Sequence, residues 1–198
     1  MQIKVAIIDN GVDKGCCHKL NISCLVDDDN SIKNEDGYSE GRHGTNCALI
    51  FDKFCNNTNL ISVKILDRDG MGGVDKIEPA LEWCYCNHIQ LVNFSVGTTH
   101  FKDKGKIRSV INHFANKGMI IVAASANNGY MTYPATFTNV IGVIAGEKLG
   151  LNEHLQTHIG IDFVAPSEHE INQNEERIRL PKSNSYATPY ITAMIGNY

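Results

Sequence analysis

The stretch that decides the fold is "IKVAIIDNGVD", residues 3–13, in which the aliphatic run Val5–Ile8 leads directly to Asp9 and to a turn at Asn10-Gly11. An apolar run without polar alternation is typical of a strand that is covered on both faces of a sheet. Similar runs recur along the chain at residues 60–66, 89–95, 119–125, 139–145 and 161–165. These six runs predict a largely parallel, buried sheet.

Helix-compatible segments lie between these runs, at residues 43–54, 74–88 and 104–117. In the third segment Ile107, Ile111 and Phe114 recur at helical spacing, which indicates one buried face. Strands that alternate with helices predict an α/β fold with a mainly parallel central sheet, right-handed crossovers and helices on both faces. Because no repeat or low-complexity linker interrupts the pattern, residues 1–198 are predicted to form one domain. The polar stretch 166–183 is predicted to be a surface excursion before a last helix.

Composition excludes several classes of function. The chain has 198 residues, of which 42% are hydrophobic and 20% charged, as in an ordinary water-soluble domain. Its net charge of −4 offers no basic stripe for nucleic acid, and no apolar run is long enough to span a membrane. No signal peptide is recognisable at the N-terminus. Seven cysteines without a C-x-x-C pair fit a reducing compartment, so we expect a cytoplasmic protein.

Three residues stand where a parallel sheet gathers its functional groups, at strand ends and helix starts. Asp9 ends the first apolar run, His43 begins a helical segment, and Ser185 opens the predicted last helix, with Pro189 in its first turn. Each residue by itself has an ordinary structural explanation, as a turn aspartate, a structural histidine and a helix cap. Together they occur in the order Asp, His, Ser, which is one of the known orders of a serine protease triad.

Five motifs in sequence order carry a resemblance to the subtilisin-like serine protease (subtilase) family. They are "VAIIDNGVD" (5–13), "HGTNCA" (43–48), "LVNFSVGT" (91–98), "VAASANNG" (122–129) and "SNSYATP" (183–189). The resemblance covers nearly the whole chain. It implies a three-layer subtilisin-like fold and serine endopeptidase activity on a peptide or polypeptide substrate.

The resemblance assigns a catalytic role to four residues. Ser185 is expected to be the nucleophile, His43 its general base, and Asp9 the group that orients the imidazole. The side-chain amide of Asn127 and the backbone N–H of Ser185 are expected to form the oxyanion hole. The helix N-terminus adds a partial positive charge beside the developing anion.

The same resemblance assigns substrate-binding residues. One edge is expected to pair with an extended substrate by main-chain hydrogen bonds, and a second segment is expected to wall the primary specificity pocket. The residues concerned are Ser95, Val96, Gly97, Thr98, Ala126, Tyr133 and Pro134.

The chain departs from the family's usual residues around this predicted site. Ser183, Asn184 and Tyr186 replace the usual Gly-Thr before the serine and Met after it, and Ala126 replaces a glycine before Asn127. Because Cβ atoms at 126 and 183 would crowd the cleft, we expect a narrowed, selective site. The alternative interpretation is a catalytically impaired protein that binds a peptide without cutting it.

The biological role expected from this sequence is selective processing inside the cell, for example removal of a leader peptide. The first strand begins at about residue 3, so no inhibitory prosegment is expected, and an activating or folding partner protein is a further expectation. Another hydrolase or esterase with the same triad is disfavoured. The order Asp, His, Ser is not that of the α/β-hydrolases, and no G-x-S-x-G motif is present.

Metal ligands are weakly indicated. The acidic run Asp27–Asp29 fails as an EF-hand loop, because Ile32 and Tyr38 stand where glycine and glutamate are needed. A solvated acidic turn is the preferred interpretation, and a structural calcium site is left open. His154 and His158 lie four apart without the acidic partner of a zinc-protease motif. We expect no catalytic metal and no required cofactor.

Overall fold

The computed structural model describes residues 3–198 except 38, 40, 57, 147–153, 157–159 and 174–175. The strands are β1 (Ile3–Asp9), β2 (Leu20–Val26), β3 (Ile32–Asn34), β4 (Thr58–Lys64), β5 (Leu91–Phe94), β6 (Ile120–Ala124), β7 (Ile141–Gly146), β8 (Leu155–Gln156), β9 (Phe163–Pro166), β10 (Glu170–Gln173) and β11 (Glu176–Arg179). The helices are α1 (His43–Phe54), α2 (Ile77–Cys86), α3 (Lys104–Asn116) and α4 (Asn184–Gly196), with 3₁₀ turns at Val74–Lys76 and Phe101–Asp103.

Nine strands of the described part of the chain form one sheet in the order β3-β2-β4-β1-β5-β6-β7-β9-β8. The strands from β2 to β9 in this order pair in parallel. β3 and β8 are antiparallel strands at the two edges, and β10 and β11 form a separate antiparallel hairpin. The prediction of an α/β fold with a mainly parallel sheet is confirmed.

The side chains of β1 show why its apolar run is unbroken. Val5 and Ile7 pack in the same buried cluster as residues of α1 and α4. Ala6 and Ile8 point to the other face and pack with residues of α2 and α3. All four are fully buried. The sheet is therefore the middle of three layers, and alternate residues of the same strand belong to two different cores.

The predicted elements compare closely with the observed ones. The six apolar runs are the strands β1, β4, β5, β6, β7 and β9, and α1 has the predicted bounds. The segment 74–88 begins with a 3₁₀ turn before α2 starts at Ile77. The seven-residue strand β2 and the short strands β3 and β8 were not predicted.

The stretch 166–183 differs from the prediction, because it is more than a surface excursion. It contains the β10–β11 hairpin, and Ile171 and Leu180 pack in the same cluster as α1 and α4. His169 beside them has no exposed surface. The polar residues that suggested a surface loop are therefore divided, since Ser167, His169 and Gln173 are buried while Arg177 and Arg179 are exposed.

None of the helices in the described residues is long and apolar enough to cross a membrane.

The sheet topology gathers the predicted site at one edge. The chain leaves β1 toward β2 and β4 on one side and returns to β5, on the other side of β1. Such a switch point opens a crevice at the carboxyl ends of parallel strands. Asp9 ends β1, Ser95 follows β5, and Ser125 follows β6, so all three lie along this crevice.

Gly44 allows α1 to begin close against the end of β1. A Cβ atom at this position would lie 2.4 Å from the carbonyl oxygen of Gly11 and 3.0 Å from Cβ of Asp9. A backbone oxygen cannot move aside as a flexible side chain can. The second residue of α1 therefore has to be glycine if His43 is to reach Asp9.

Gly44→Ala is expected to lower the free energy of unfolding by roughly 1–3 kcal/mol, because the added methyl group overpacks the strand–helix junction. Gly105→Ala is the matched control, since Gly105 lies in α3 and its Cβ would meet nothing within 4 Å. In a helix this change should be neutral or stabilising by up to about 1 kcal/mol. Urea unfolding of both variants checks the difference, and equal stability would show that the junction can relax.

Candidate active site

The buried carboxylate of Asp9 hydrogen-bonds to the partly exposed ring of His43. Nδ1 of His43 lies 2.9 Å from Oδ1 and 2.8 Å from Oδ2 of Asp9, whose surface is 1% exposed. The backbone N–H of Asn10 also donates to Oδ1 of Asp9, at 2.8 Å. The Asn10 side-chain oxygen accepts from the backbone N–H of Gly44 at 2.9 Å. These contacts place the proton of neutral His43 on Nδ1 and leave Nε2 free to act as a base.

The electrostatics of His43 combine two opposed causes. Burial of the ring disfavours its charged form, but the hydrogen bond to Asp9 and the Asp9 charge outweigh it, so the pKa of His43 is raised above its ordinary value of 6.5. A raised pKa means that the imidazolium formed during proton transfer is stabilised. This is the property that a general base requires.

Helix α4 begins at Asn184, one residue before the predicted nucleophile Ser185. Ser183 is its N-cap, with a side chain that accepts from the backbone N–H of Ser185, so the cap is Ser183 and Ser185 lies inside the first turn. Pro189 is the sixth helical residue, and the prediction that it lies in the first turn was wrong. Because proline has no N–H, the carbonyl of Ser185 loses its usual partner in the helix. The thiol of Cys47 donates to this carbonyl oxygen at 3.5 Å.

Cys47 therefore has a structural role beneath the site. Burial, together with the nearby charge of Asp9, raises the pKa of the Cys47 thiol well above its ordinary value, so the sulfur stays protonated and can donate. Its Sγ also lies 3.5 Å from Oγ of Ser95, which accepts from the Asn93 side chain at 2.7 Å. This chain of contacts joins α1, the residues after β5 and the first turn of α4.

Asn184 holds the oxyanion segment in place. Its backbone N–H donates to Oδ1 of Asn127 at 2.8 Å, which turns Nδ2 of Asn127 the other way. Its side-chain Nδ2 donates to the carbonyl oxygens of Ser125 (3.1 Å) and Ala126 (2.9 Å). Its Oδ1 accepts from the backbone N–H of Ala145 at 2.8 Å. From the sequence, Asn184 was recognised only as a departure from the family's usual residues. Its contacts could not be predicted, because none of these partners is near it in sequence.

Tyr186 supports the imidazole from one side. Its ring stacks on that of His43, with centroids 5.3 Å apart and planes inclined at 27°. Its hydroxyl accepts from Nδ2 of Asn46 at 3.2 Å, and the residue is 8% exposed. Tyr186, one of the residues that depart from the family, is thus in contact with both His43 and Asn46.

The predicted catalytic residues line one cleft of about 650 Å³. Asp9, His43, Asn127 and Ser185 all contribute to its surface. In the described structure no hydrogen bond joins the Ser185 hydroxyl to the His43 ring. Such bonds are often long in a ligand-free site and shorten when substrate binds. The cleft is also lined by residues that the sequence did not indicate, namely Leu66, Gly70, Met71, Gly72 and Val74.

The predicted substrate-binding residues divide into two groups. Ser95, Val96, Gly97, Thr98 and Ala126 line the cleft. Tyr133 and Pro134 are buried, and Thr132 lines the cleft at this point.

Thr98 lines the cleft, but its main chain is already paired. Its N–H donates to the carbonyl of Tyr133 at 3.0 Å, and its carbonyl accepts from the N–H of Tyr133 at 2.9 Å. Main-chain pairing with a substrate is thus left to Ser95, Val96 and Gly97.

Two members of the acidic run Asp27–Asp29 are paired with basic side chains, and the third, Asp29, accepts from the backbone N–H of Ser31 at 2.9 Å. Asp27 forms an ion pair with Lys33, and Asp28 forms one with Lys76 at 2.8 Å. His158, part of the second weak metal motif, lies outside the described residues.

A metal ion could also be considered at the catalytic pair itself, because ligand atoms of Asp9, His43 and Cys47 lie within 4.8 Å of one another. The Asp9–His43 hydrogen bond and the protonated thiol already use these atoms. The absence of a required metal stays a prediction.

Comparisons with known proteins agree with this geometry. A family model described as the subtilase family matches residues 1–197. The minor extracellular protease Epr of Bacillus subtilis (strain 168) is 29% identical over 209 residues, which cover 97% of this chain and 31% of the relative. Subtilisin BL of Lederbergia lenta is 28% identical over 174 residues, which cover 83% of this chain and 63% of the relative. The chain therefore spans less than two thirds of either relative.

A solved structure named S41 Psychrophilic Protease shares the fold, with a TM-score of 0.80 at 17% identity. The match covers 99% of this chain and 76% of that one.

The pKa of His43 is expected to lie above 6.5 in the native protein and to fall below that value in Asp9→Asn, where only the burial of the ring remains. Only neutral His43 can accept a proton at Nε2, so any reaction that uses it as a base should slow as the pH drops through this raised pKa. NMR titration of the histidine ring protons measures the pKa directly. His169, whose pKa is lowered by burial, is the internal control and should not respond to the substitution. A His43 pKa that Asp9→Asn leaves unchanged would show that the carboxylate does not act on the ring.

Proposed function

The chain belongs to the subtilase family, and on that premise we propose that it is a serine endopeptidase that hydrolyses peptide bonds through Asp9, His43 and Ser185. The observation that carries the proposal is the Asp9–His43 pair, which shares one cleft with Ser185 and Asn127. The two curated relatives described above span more sequence than this chain, so their activities support the proposal by similarity.

In the proposed mechanism, Oγ of Ser185 attacks the carbonyl carbon of the substrate while its proton passes to Nε2 of His43. Asp9 holds the ring through Nδ1 and stabilises its positive charge. The proton then passes from Nε2 to the nitrogen of the leaving amine, and the C–N bond breaks. Water repeats the same steps on the acyl-enzyme and releases the second product with regeneration of Ser185.

The carbonyl oxygen becomes negatively charged during the attack and needs donors that are already aimed at it. Nδ2 of Asn127 and the backbone N–H of Ser185 are the proposed donors. Asn127 is held by Asn184 through its oxygen, so its amide does not have to reorganise when charge develops.

The proposal extends to a selective protease that processes a peptide inside the cell, for example by removing a leader. Selectivity is supported by Ala126 in the cleft lining and by the side chain at 183, where family members usually have glycine. An intracellular location is supported by the free thiols of Cys16, Cys17, Cys24, Cys47, Cys84 and Cys86, which suit a reducing compartment. We also propose that a partner protein activates or folds the enzyme. Neither nucleic acid nor a membrane is proposed as a ligand.

The second candidate is a peptide-binding protein with the same fold that does not cut its ligand. One observation favours it, namely that both proposed oxyanion donors already hydrogen-bond to Ser183. A binder would still use the cleft edge at Ser95–Gly97.

The first test is labelling with a fluorophosphonate, which reacts only with a serine activated by an assembled triad. The intact mass of the native protein should increase by one adduct. Ser185→Ala should show none, since loss of the nucleophile reduces kcat by about 10⁶ in a related triad. A folded native protein that takes up no label would overturn a peptidase that is active without its partner protein, and the peptide-binding candidate would then lead.

The role of Asn127 is tested by comparing neighbouring asparagines. Asn127→Ala should reduce kcat on a cleaved peptide by about 10²–10³, because one oxyanion donor is lost. Asn128→Ala is the matched control, since the Asn128 side chain accepts only from the local N–H of Tyr130 at 3.2 Å. Equal loss in both variants would point to loop structure and not to oxyanion stabilisation.

A further inference from the structure

The hydroxyl oxygen of Ser183 lies where two donors converge. It accepts from the backbone N–H of Ser185 at 3.2 Å and from Nδ2 of Asn127 at 3.3 Å, and its own O–H can donate to Oδ1 of Asn127 at 3.5 Å. The two N–H donors are the groups that the proposed mechanism aims at the substrate's oxyanion. The Ser183 oxygen therefore makes the same two hydrogen bonds that the carbonyl oxygen of a bound substrate is proposed to make.

Helix capping explains only one of these two contacts. An N-cap serine accepts from an N–H of the first helical turn, and the bond to Ser185 does this. The bond to Asn127 comes from a segment 56 residues earlier in the chain and adds nothing to the cap. The orientation of Asn127 is set independently, because the N–H of Asn184 binds its oxygen at 2.8 Å.

We propose that the Ser183 hydroxyl occupies the oxyanion hole of the substrate-free protein and acts as an internal gate that a peptide carbonyl must displace. This inference rests on the proposed function, because it assigns regulation to the same site. The gate is a local one: rotation of one side chain about its Cα–Cβ bond removes the hydroxyl from both donors.

The gate makes reactivity depend on how well the rest of the substrate is held. A peptide carbonyl gains two hydrogen bonds in the hole only after Ser183 has given up the same two. The hole therefore contributes less net binding free energy than an open one. A peptide that pairs along Ser95–Gly97 is held beside the hole and can compete with the tethered hydroxyl, whereas a loosely held peptide cannot. The result is discrimination between well-fitting segments and other chains.

The decisive variants remove the hydroxyl in two different ways. Ser183→Ala and Ser183→Gly should both raise the second-order rate of fluorophosphonate labelling, by roughly 5- to 30-fold, since a hydrogen bond contributes about fivefold to an equilibrium and two are involved. Alanine is a poor cap and glycine a fair one. A rise in both variants is therefore due to the missing hydroxyl and not to a change in helix α4. Ser183→Thr keeps a hydroxyl and should react more slowly than Ser183→Ala.

A double-mutant cycle tests whether the effect passes through Asn127. In the Asn127→Ala background, Ser183→Ala should raise the labelling rate by a smaller factor than in the native background, because only one blocked donor remains to be released. Equal factors in the two backgrounds would show that the hydroxyl acts elsewhere, and the gate would be overturned.

A measurement without any reaction separates the gate from the peptidase proposal. In ¹⁵N NMR spectra of the unliganded protein, Ser183→Ala should shift both the backbone amide of Ser185 and the side-chain amide of Asn127. If only the Ser185 signal moves, the hydroxyl is a cap alone and the gate is overturned, whatever the labelling shows. If both signals move but the native protein and Ser183→Ala remain unlabelled, the gating role and the peptidase proposal both fail.

One outcome overturns the gate and leaves the peptidase intact. If Ser183→Ala and Ser183→Gly label more slowly than the native protein, the hydroxyl assists the reaction as a third donor to the oxyanion. Ser185→Ala remains the unlabelled blank throughout.

Discussion

The rest of the site depends on one buried charge, the carboxylate of Asp9 at the end of β1. A carboxylate with 1% of its surface exposed is stable only if its oxygens are hydrogen-bonded. The ring of His43 and the N–H of Asn10 supply those bonds. To bring the ring there, α1 must begin directly against the strand end, which Gly44 allows. The need to hydrogen-bond the Asp9 carboxylate thus sets where helix α1 begins.

The residues that depart from the family form a connected set rather than scattered changes. Tyr186 stacks on His43 and binds Asn46. Asn184 binds Asn127 through its backbone and the end of β6 through its side chain. Asn184 and Tyr186 each make specific hydrogen bonds, so the polar groups of these replacement side chains remain paired.

The first turn of α4 carries the densest concentration of these contacts. Ser183 faces the donors, Ser185 is the proposed nucleophile, and Pro189 frees the Ser185 carbonyl that Cys47 then binds. The turn is tied to α1 through Cys47 and to the segment after β6 through Asn184. The nucleophile, its base and its oxyanion donors therefore sit on elements that are linked directly to one another, and small movements of the hairpin or the surface turns need not disturb them.

The sequence by itself determined that a mainly parallel sheet lies between helices on both faces, because unbroken apolar runs report strands that are buried on both sides. Through their resemblance to the subtilase family, its motifs also singled out Asp9, His43, Asn127 and Ser185 as the proposed catalytic residues. Only the tertiary structure decided that Ser183 and not Ser185 caps α4, that Thr98 pairs with Tyr133, and that Ser183 meets Asn127. Each of these depends on the distance between groups far apart in the chain or on where a helix begins to within two residues. Periodicity and motif spacing carry no information on either, because both are settled by packing and hydrogen bonding after the elements have assembled.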